Sequence, residues 1–293
     1  MSTVVVTGAR GYVGGRLETA LRERHRVVVV DRTTDAAGLK EACTSADAVV
    51  HLAGANEILA AENPELALAE TVSTTWRTAR AAAEGGVRRF VYVSTVHVYG
   101  PPVEGAVLDE STMPAPRGAY AVARLASEHA AASHDLDLVV LRLTNAVGAP
   151  GRADVQRWTL VANDLCRQAA LTGALRLRSH GWQWRDFVPM ADAVRILEAA
   201  ADPEAVPAGT YNLGSGTPTT VRNLAELVQD AFEALTGDRP PLHAPEGPDE
   251  RPQPHRVSVQ RLADLGLRAD GDLSAAVEET AAFCLAHREE LPA

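Results

Sequence analysis

Three glycines, Gly8, Gly11 and Gly14, follow the apolar run Val4-Val5-Val6 in the stretch Thr7-Gly8-Ala9-Arg10-Gly11-Tyr12-Val13-Gly14. A strand that runs into glycines at this spacing, and then into a helix, lets backbone N–H groups approach a pyrophosphate whose charge the helix N-terminus stabilises. Asp31 closes the next apolar run, Val27 to Val30, where a carboxylate can accept hydrogen bonds from an adenosine ribose. The pattern predicts a dinucleotide site built from Gly8, Gly11, Tyr12, Val13, Gly14 and Asp31. Asp31 repels a 2′-phosphate and favours NAD, whereas Arg10 and Arg32 are placed to accept one, so NAD and NADP both stay open. A tight structural turn, with Arg32 a solvated surface charge, is the plain alternative.

The elements that must position such a loop are visible around it. A helix over Arg16 to Arg24 joins the first two strands, and further unbroken apolar runs follow at Ala48 to Leu52, Phe90 to Val93 and Leu138 to Leu143. Ala-rich helical stretches, Glu65 to Glu84 and Tyr120 to Ser133, separate them. Strands without alternation, spaced by helices, imply an α/β protein with a doubly wound parallel sheet covered on both faces, a Rossmann architecture. The segment between Asp31 and the helix near Leu39 is too short for an extra strand. Past Leu143 the pattern predicts a helix over Val155 to Thr172, a strand over Leu175 to Arg178, and a return to the main sheet through a helix over Asp192 to Ala201 and a strand over Thr210 to Leu213. The Pro-rich stretch from Pro240 to Pro254 is not helical. Residues 1–150, with 186–213 returning, form the dinucleotide-binding domain; residues 151–185 and 214–293 form a smaller, interleaved substrate lobe.

At 293 residues the chain can bury its core without staples, and its formal net charge of −10 argues against a nucleic-acid or membrane-surface partner. Cys43, Cys166 and Cys284 are odd in number and lack CxxC spacing, which fits a reducing compartment and no structural metal. No basic leader precedes Thr3 and no apolar run is long enough to span a bilayer, so a cytoplasmic protein is expected.

Two further stretches carry chemistry: Ser94-Thr95-Val96-His97-Val98-Tyr99-Gly100 after a strand, and Tyr120-Ala121-Val122-Ala123-Arg124 at a helix start. Together with the glycine loop and Asp47-Ala48-Val49-Val50-His51-Leu52-Ala53-Gly54, they resemble the extended short-chain dehydrogenase/reductase family. Arg185-Asp186-Phe187-Val188 with Asp192, and Gly209-Thr210-Tyr211-Asn212-Leu213-Gly214, extend the resemblance to its nucleotide-sugar epimerase/dehydratase branch. The resemblance implies that Tyr120 exchanges a proton with the substrate oxygen while Thr95 holds that oxygen, and that hydride passes to or from nicotinamide. It also places Leu52, Ala53, Gly54, Tyr120 and Arg124 at the cofactor.

Where the family has a lysine one turn after the tyrosine, this chain has Arg124, a fixed cation that can assist a tyrosine but cannot relay a proton. Val96-His97 stands where dehydratases of the family carry Asp-Glu, which argues against 4,6-dehydration. His97 is then a substrate contact or second acid/base, or else a packed or hydrogen-bonded histidine; His51, ending a buried strand beside the cofactor loop, satisfies backbone groups or lies near the phosphates. Thr71-Val72-Ser73-Thr74-Thr75 replaces the asparagine and glycine usual there.

On the substrate side the resemblance implies Thr95, His97, Asn145 and Arg185 as contacts, Arg185 on a nucleotide diphosphate, with Arg251 or Arg256 closing on it or simply solvated. Trp182 and Trp184 stack on a base or are buried in the lobe. The implied activity is NAD(P)-dependent reduction of a nucleotide-linked 4-keto-6-deoxy sugar, with 4-epimerisation as runner-up. Other readings are a dehydrogenase of a free sugar, sugar acid or sterol-like alcohol, and a non-catalytic cofactor-binding sensor or scaffold. A homodimer is implied through the helices at Glu65 to Glu84 and Tyr120 to Ser133.

Overall fold

The computed structural model describes residues 1–101, 103–155, 157–245 and 251–292. The first half runs β1 (Thr3–Thr7), α1 (Tyr12–Arg22), β2 (Arg26–Val30), α2 (Ala36–Thr44), β3 (Ala48–His51), α3 (Glu57–Glu62), α4 (Pro64–Glu84), β4 (Arg89–Thr95), β5 (Val107–Leu108), α5 (Ala119–Ala132), β6 (Asp137–Leu143) and β7 (Asn145–Val147). The second half runs α6 (Val161–Thr172), β8 (Leu175–Arg176), β9 (Trp184–Pro189), α7 (Met190–Ala200), β10 (Gly209–Leu213), β11 (Pro218–Thr220), α8 (Val221–Thr236), β12 (Leu242–His243), β13 (Arg256–Val257), α9 (Gln260–Asp264) and α10 (Leu273–Ala286).

Six strands form one parallel sheet in the order β10-β6-β4-β3-β1-β2. Every residue of β3 and β4 is buried, as expected for strands covered on both faces. From β1 the chain passes through α1 to β2 on one side, then crosses back through α2 to β3 on the other. The order therefore reverses beside β1, and the loops after β1 and β3 meet in the crevice where doubly wound sheets bind ligands. The short segment after Asp31 leaves β2 as the sheet edge; α2 begins directly, the Asp35 carboxylate accepting from Gly38 N at 2.8 Å.

The remaining elements build a second core. Leu165, Phe187, Leu224, Val228 and Val277 pack together beneath α6, α8 and α10, beside the three-stranded sheet β11-β9-β7. Helix α6 starts at Val161, later than Val155. Val155 is buried in the main core and Trp158 in the second one. Residues three apart on a helix share a face, so one helix could not serve both cores, and Val155 and Arg157 to Leu160 are non-helical. Pro240 to Pro245 and Arg251 to His255 are non-helical, while positions 246–250 of the Pro-rich stretch lie outside the described residues. The two cores are pinned together at the glycine loop. The Tyr12 hydroxyl donates to Gly148 O at 2.5 Å and to Asn163 at 3.1 Å, and Arg16 pairs with Glu279 at 2.6 Å.

Candidate active site

The loop after β1 is closed by contact between backbones. A Cβ at Gly14 would lie 2.1 Å from Gly8 O, and one at Gly8, whose φ is +74°, would lie 2.8 Å from Ala53 N. Only glycine permits both approaches. Gly11 precedes α1 without a side-chain cap, so the first amides of the helix point outward unpaired by any cap. This cradle fits the pyrophosphate of a dinucleotide, and Gly8, Gly11, Tyr12, Val13 and Gly14 line one end of a cavity of about 820 Å³.

A buried polar chain fixes the second wall of the cradle. Ala53 N–H donates to Thr7 Oγ1, which is 2.7 Å from His51 Nδ1; His51 Nε2 is 3.1 Å from Thr75 Oγ1, which donates to Thr71 O. With the Thr75 proton spent on Thr71, Nε2 must carry the ring hydrogen and Nδ1 must accept from Thr7. Burial, with the Arg124 cation adding to it, pushes the His51 pKa down to about 3, so the ring is neutral. Thr71 Oγ1 in turn accepts from Ala55 N at 3.0 Å. The threonines at 71 and 75 thus carry the loop that holds Leu52 and Gly54 against the cavity.

Of the adenosine-side residues, Arg32 lines the cavity, while Arg10 and Asp31 are not among its lining residues. Arg10 pairs with Asp31 at 3.1 Å, and the other Asp31 oxygen accepts from Thr33 N and Oγ1 at 2.9 and 2.6 Å. The Thr33 hydrogen bonds, aided by Arg10, hold this carboxyl below the usual range.

Farther along the cavity stand Thr95, His97, Tyr120, Arg124, Asn145 and Arg185. Thr95 ends β4 and accepts from His97 N at 3.3 Å. Tyr120 is in the first turn of α5, with the Arg124 guanidinium 5.5 Å from its ring centre and the His97 ring 6.3 Å away, edge-on. Arg124 is buried and donates to Val93 O at 3.3 Å, and its Nε has no partner among the described residues. Arg124 is among the residues that line the cavity, and a guanidinium there fits a ligand hydroxyl. Burial works against the Arg124 charge, but the Tyr92 and Tyr120 hydroxyls outweigh it and hold its pKa above the ordinary arginine value. His97 opens to the cavity, where desolvation and the Arg185 cation, against Glu57, lower its pKa.

Asn145 Nδ2 donates to Asp186 O at 2.8 Å, and Arg185 Nη1 donates to Trp184 O at 2.9 Å. The Asp186 carboxylate accepts from Thr144 Oγ1, Ser215 N and Gly216 N, which fixes β9 beside β7. Arg251 does not line the cavity; its guanidinium stacks 4.2 Å from the Trp182 ring centre. Trp184 donates to Pro252 O, and neither tryptophan reaches the cavity wall. Arg256 is exposed on β13, and its neighbours His255 and Val257 take the places at the wall. Asp192 lies in the first turn of α7, its carboxylate accepting from Arg195 and Gly271 N.

Sequence reasoning missed Glu57, Arg117, Arg157 and His255, all at the cavity wall. None belongs to a motif; Arg157, ahead of α6, reaches Glu57 at the start of α3 at 2.9 Å. Five arginines (Arg32, Arg117, Arg124, Arg157, Arg185) face the cavity against the carboxylates Glu57 and Asp186, in a chain whose net charge is −10. Such a local field suits polyphosphate ligands.

A family model described as the NAD dependent epimerase/dehydratase family matches residues 4–214. The chain belongs to this family. It is an NAD(P)-dependent α/β enzyme type, in keeping with the extended short-chain dehydrogenase/reductase motifs. It is similar to a dTDP-6-deoxy-L-talose 4-dehydrogenase (NAD(P)(+)) of Kitasatospora kifunensis, 34% identical over 206 residues. That match covers 68% of this chain and 63% of the relative, just under two thirds of its length. A GDP-6-deoxy-D-mannose reductase of Pseudomonas aeruginosa is 30% identical, over 77% of this chain and 78% of the relative. Among solved structures, MoeE5 in complex with UDP-glucose and NAD superposes with a TM-score of 0.80 at 26% identity, covering 98% of this chain and 99% of that one. No helix among the described residues is long and apolar enough to cross a membrane.

Proposed function

We propose that this protein reduces the carbonyl of a nucleotide-diphosphate-linked 4-keto-6-deoxy sugar, with Tyr120 as proton donor and Thr95 holding the carbonyl oxygen. The observation that carries this reading is one cavity that begins at the glycine cradle, passes Thr95 and Tyr120, and reaches Arg185. The reduced nicotinamide, when bound, supplies the hydride. The chain supplies everything around it. Thr95 Oγ1 accepts its hydrogen bond from His97 N, which leaves its own proton to donate to the substrate oxygen. Tyr120 stands beside a permanent cation in Arg124, which stabilises the phenolate left after proton transfer. His97, with its lowered pKa, is neutral near pH 7 and serves as a hydrogen-bonding contact for the sugar. Asn145 and Arg185 hold the sugar and the diphosphate, and Arg185 offers the bidentate geometry that phosphate favours.

The relatives named as 6-deoxy-sugar redox enzymes, at 34% and 30% identity, support reduction. The family's epimerases support a second reading, 4-epimerisation, in which the same residues serve oxidation and re-reduction around a retained NAD. Assembly as a homodimer through α4 and α5, in the cytoplasm, belongs to the same proposal.

A thermal-shift screen of UDP, dTDP and GDP with each cofactor tests the substrate class, because a ligand of the native state raises its melting temperature by mass action. One nucleotide diphosphate is expected to add to the shift given by the cofactor, and Arg185→Ala to weaken it at least tenfold. Unchanged affinity in Arg185→Ala would remove the diphosphate assignment.

A further inference from the structure

Under the cavity floor lies a polar chain that the proposed reaction does not use. Glu128 sits one turn beyond Arg124 and two beyond Tyr120, on the same face of α5. Its carboxylate accepts from Ser94 Oγ at 2.5 Å and from Arg142 on β6, through Nε at 3.1 Å and Nη2 at 2.7 Å. Ser94 immediately precedes Thr95. The Arg142 guanidinium lies 4.9 Å from the Tyr99 ring centre, and the Tyr99 hydroxyl donates to Asn212 Oδ1 at 2.7 Å. Asn212, on β10, donates through Nδ2 to Ser258 O at 3.0 Å. Ser258 closes the strap that presents His255 and Val257 to the cavity, and its N–H bonds Leu108 O at 2.8 Å. Ser94, Tyr99, Glu128, Arg142 and Asn212 are all less than a tenth exposed.

We infer that Glu128 and Arg142 form a positioning pair that sets Tyr120 against Thr95 and ties both to the strap at 255–258. A buried ion pair is a poor source of stability, since an apolar pair of similar volume serves as well, but its directional bonds fix geometry. Here those bonds join the strand that bears Thr95, the helix that bears Tyr120 and, through Tyr99 and Asn212, the far wall of the site. The catalytic half of this inference rests on the reaction proposed above. The mechanical half does not.

The double variant Glu128→Met/Arg142→Met removes both charges together, so neither is stranded. In the cofactor-bound protein, amide hydrogen exchange at Arg256, Ser258 and the first turn of α5 is expected to quicken at least tenfold, with β1 and β3 unchanged. With a 4-keto sugar, kcat is expected to fall at least tenfold while KM stays within twofold. Exchange unchanged at the strap, or quickened uniformly across the sheet, overturns the inference, as does wild-type kcat in the folded double variant. Should that variant not fold, Ser94→Ala, which leaves the ion pair intact, faces the same two readouts. Exchange is measured without substrate, so an inactive wild type would sink the reaction and still leave the coupling decided.

Discussion

At the scale of single residues, the proposed reaction makes Tyr120 the proton donor and Arg124 the cation beside it. Tyr120→Phe removes the proton donor and is expected to lower kcat by about 10²- to 10⁴-fold with little change in cofactor affinity, measured by steady-state kinetics beside fluorescence titration. Retained turnover would mean that another group delivers the proton. His51 makes a different prediction. Its folded pKa of about 3 lies below the unfolded value, so the unfolded chain binds one more proton between those values. Stability is therefore full above the unfolded pKa and falls as pH drops toward 3, by about 1.4 kcal/mol per pH unit from this group. Urea unfolding of His51→Gln between pH 6.5 and pH 4.5 is expected to show a slope shallower by about one proton; an unchanged slope would show that the ring is not held neutral. The sequence made Thr95, Tyr120 and the glycines legible because motif spacing encodes them. His255 and Arg157 were not, since each reaches the cavity only through a contact between distant segments.

At the scale of elements, the glycine cradle depends on backbone packing between the β1–α1 and β3–α3 loops. Gly14→Ala would drive a methyl group into Gly8 O, 2.1 Å away. The variant is expected to lose about 1–3 kcal/mol of stability and most of its NAD(P) affinity, read by chemical denaturation and by quenching on cofactor titration. Full affinity would mean the cradle is not the binding element. The sheet itself was largely readable: continuous Val-rich runs are what two-sided burial requires, and the short segment after Asp31 left β2 at the edge. Helix α6 shows where sequence pattern fails, because Val155 and Trp158 fit one helical face yet are drawn into separate cores. The small strands β5 and β13 also escaped it. Two residues of pairing carry no periodicity.

At the scale of the whole molecule, α4 and α5 pack together and leave Leu66, Trp76 and Val122 between 39% and 44% exposed. A homodimer through these helices is expected at micromolar concentration, and Val122→Arg is expected to shift it to monomer in sedimentation; a monomeric wild type would refute that assembly. The sequence's overall acidity did not disclose the cationic cavity, because the arginines that line it are scattered from Arg32 to Arg185. In the proposed function they serve two phosphate-linked ligands, cofactor and sugar nucleotide, that meet at Tyr120. The most direct test is to offer the protein a nucleotide-linked 4-keto-6-deoxy hexose with NADH or NADPH and follow the absorbance of the reduced nicotinamide. One reduced cofactor is expected to be consumed per sugar reduced, with the rate lost in Tyr120→Phe. No consumption with any nucleotide form of that sugar, alongside redox-neutral interconversion of nucleotide hexoses by retained NAD, would contradict the proposed reduction.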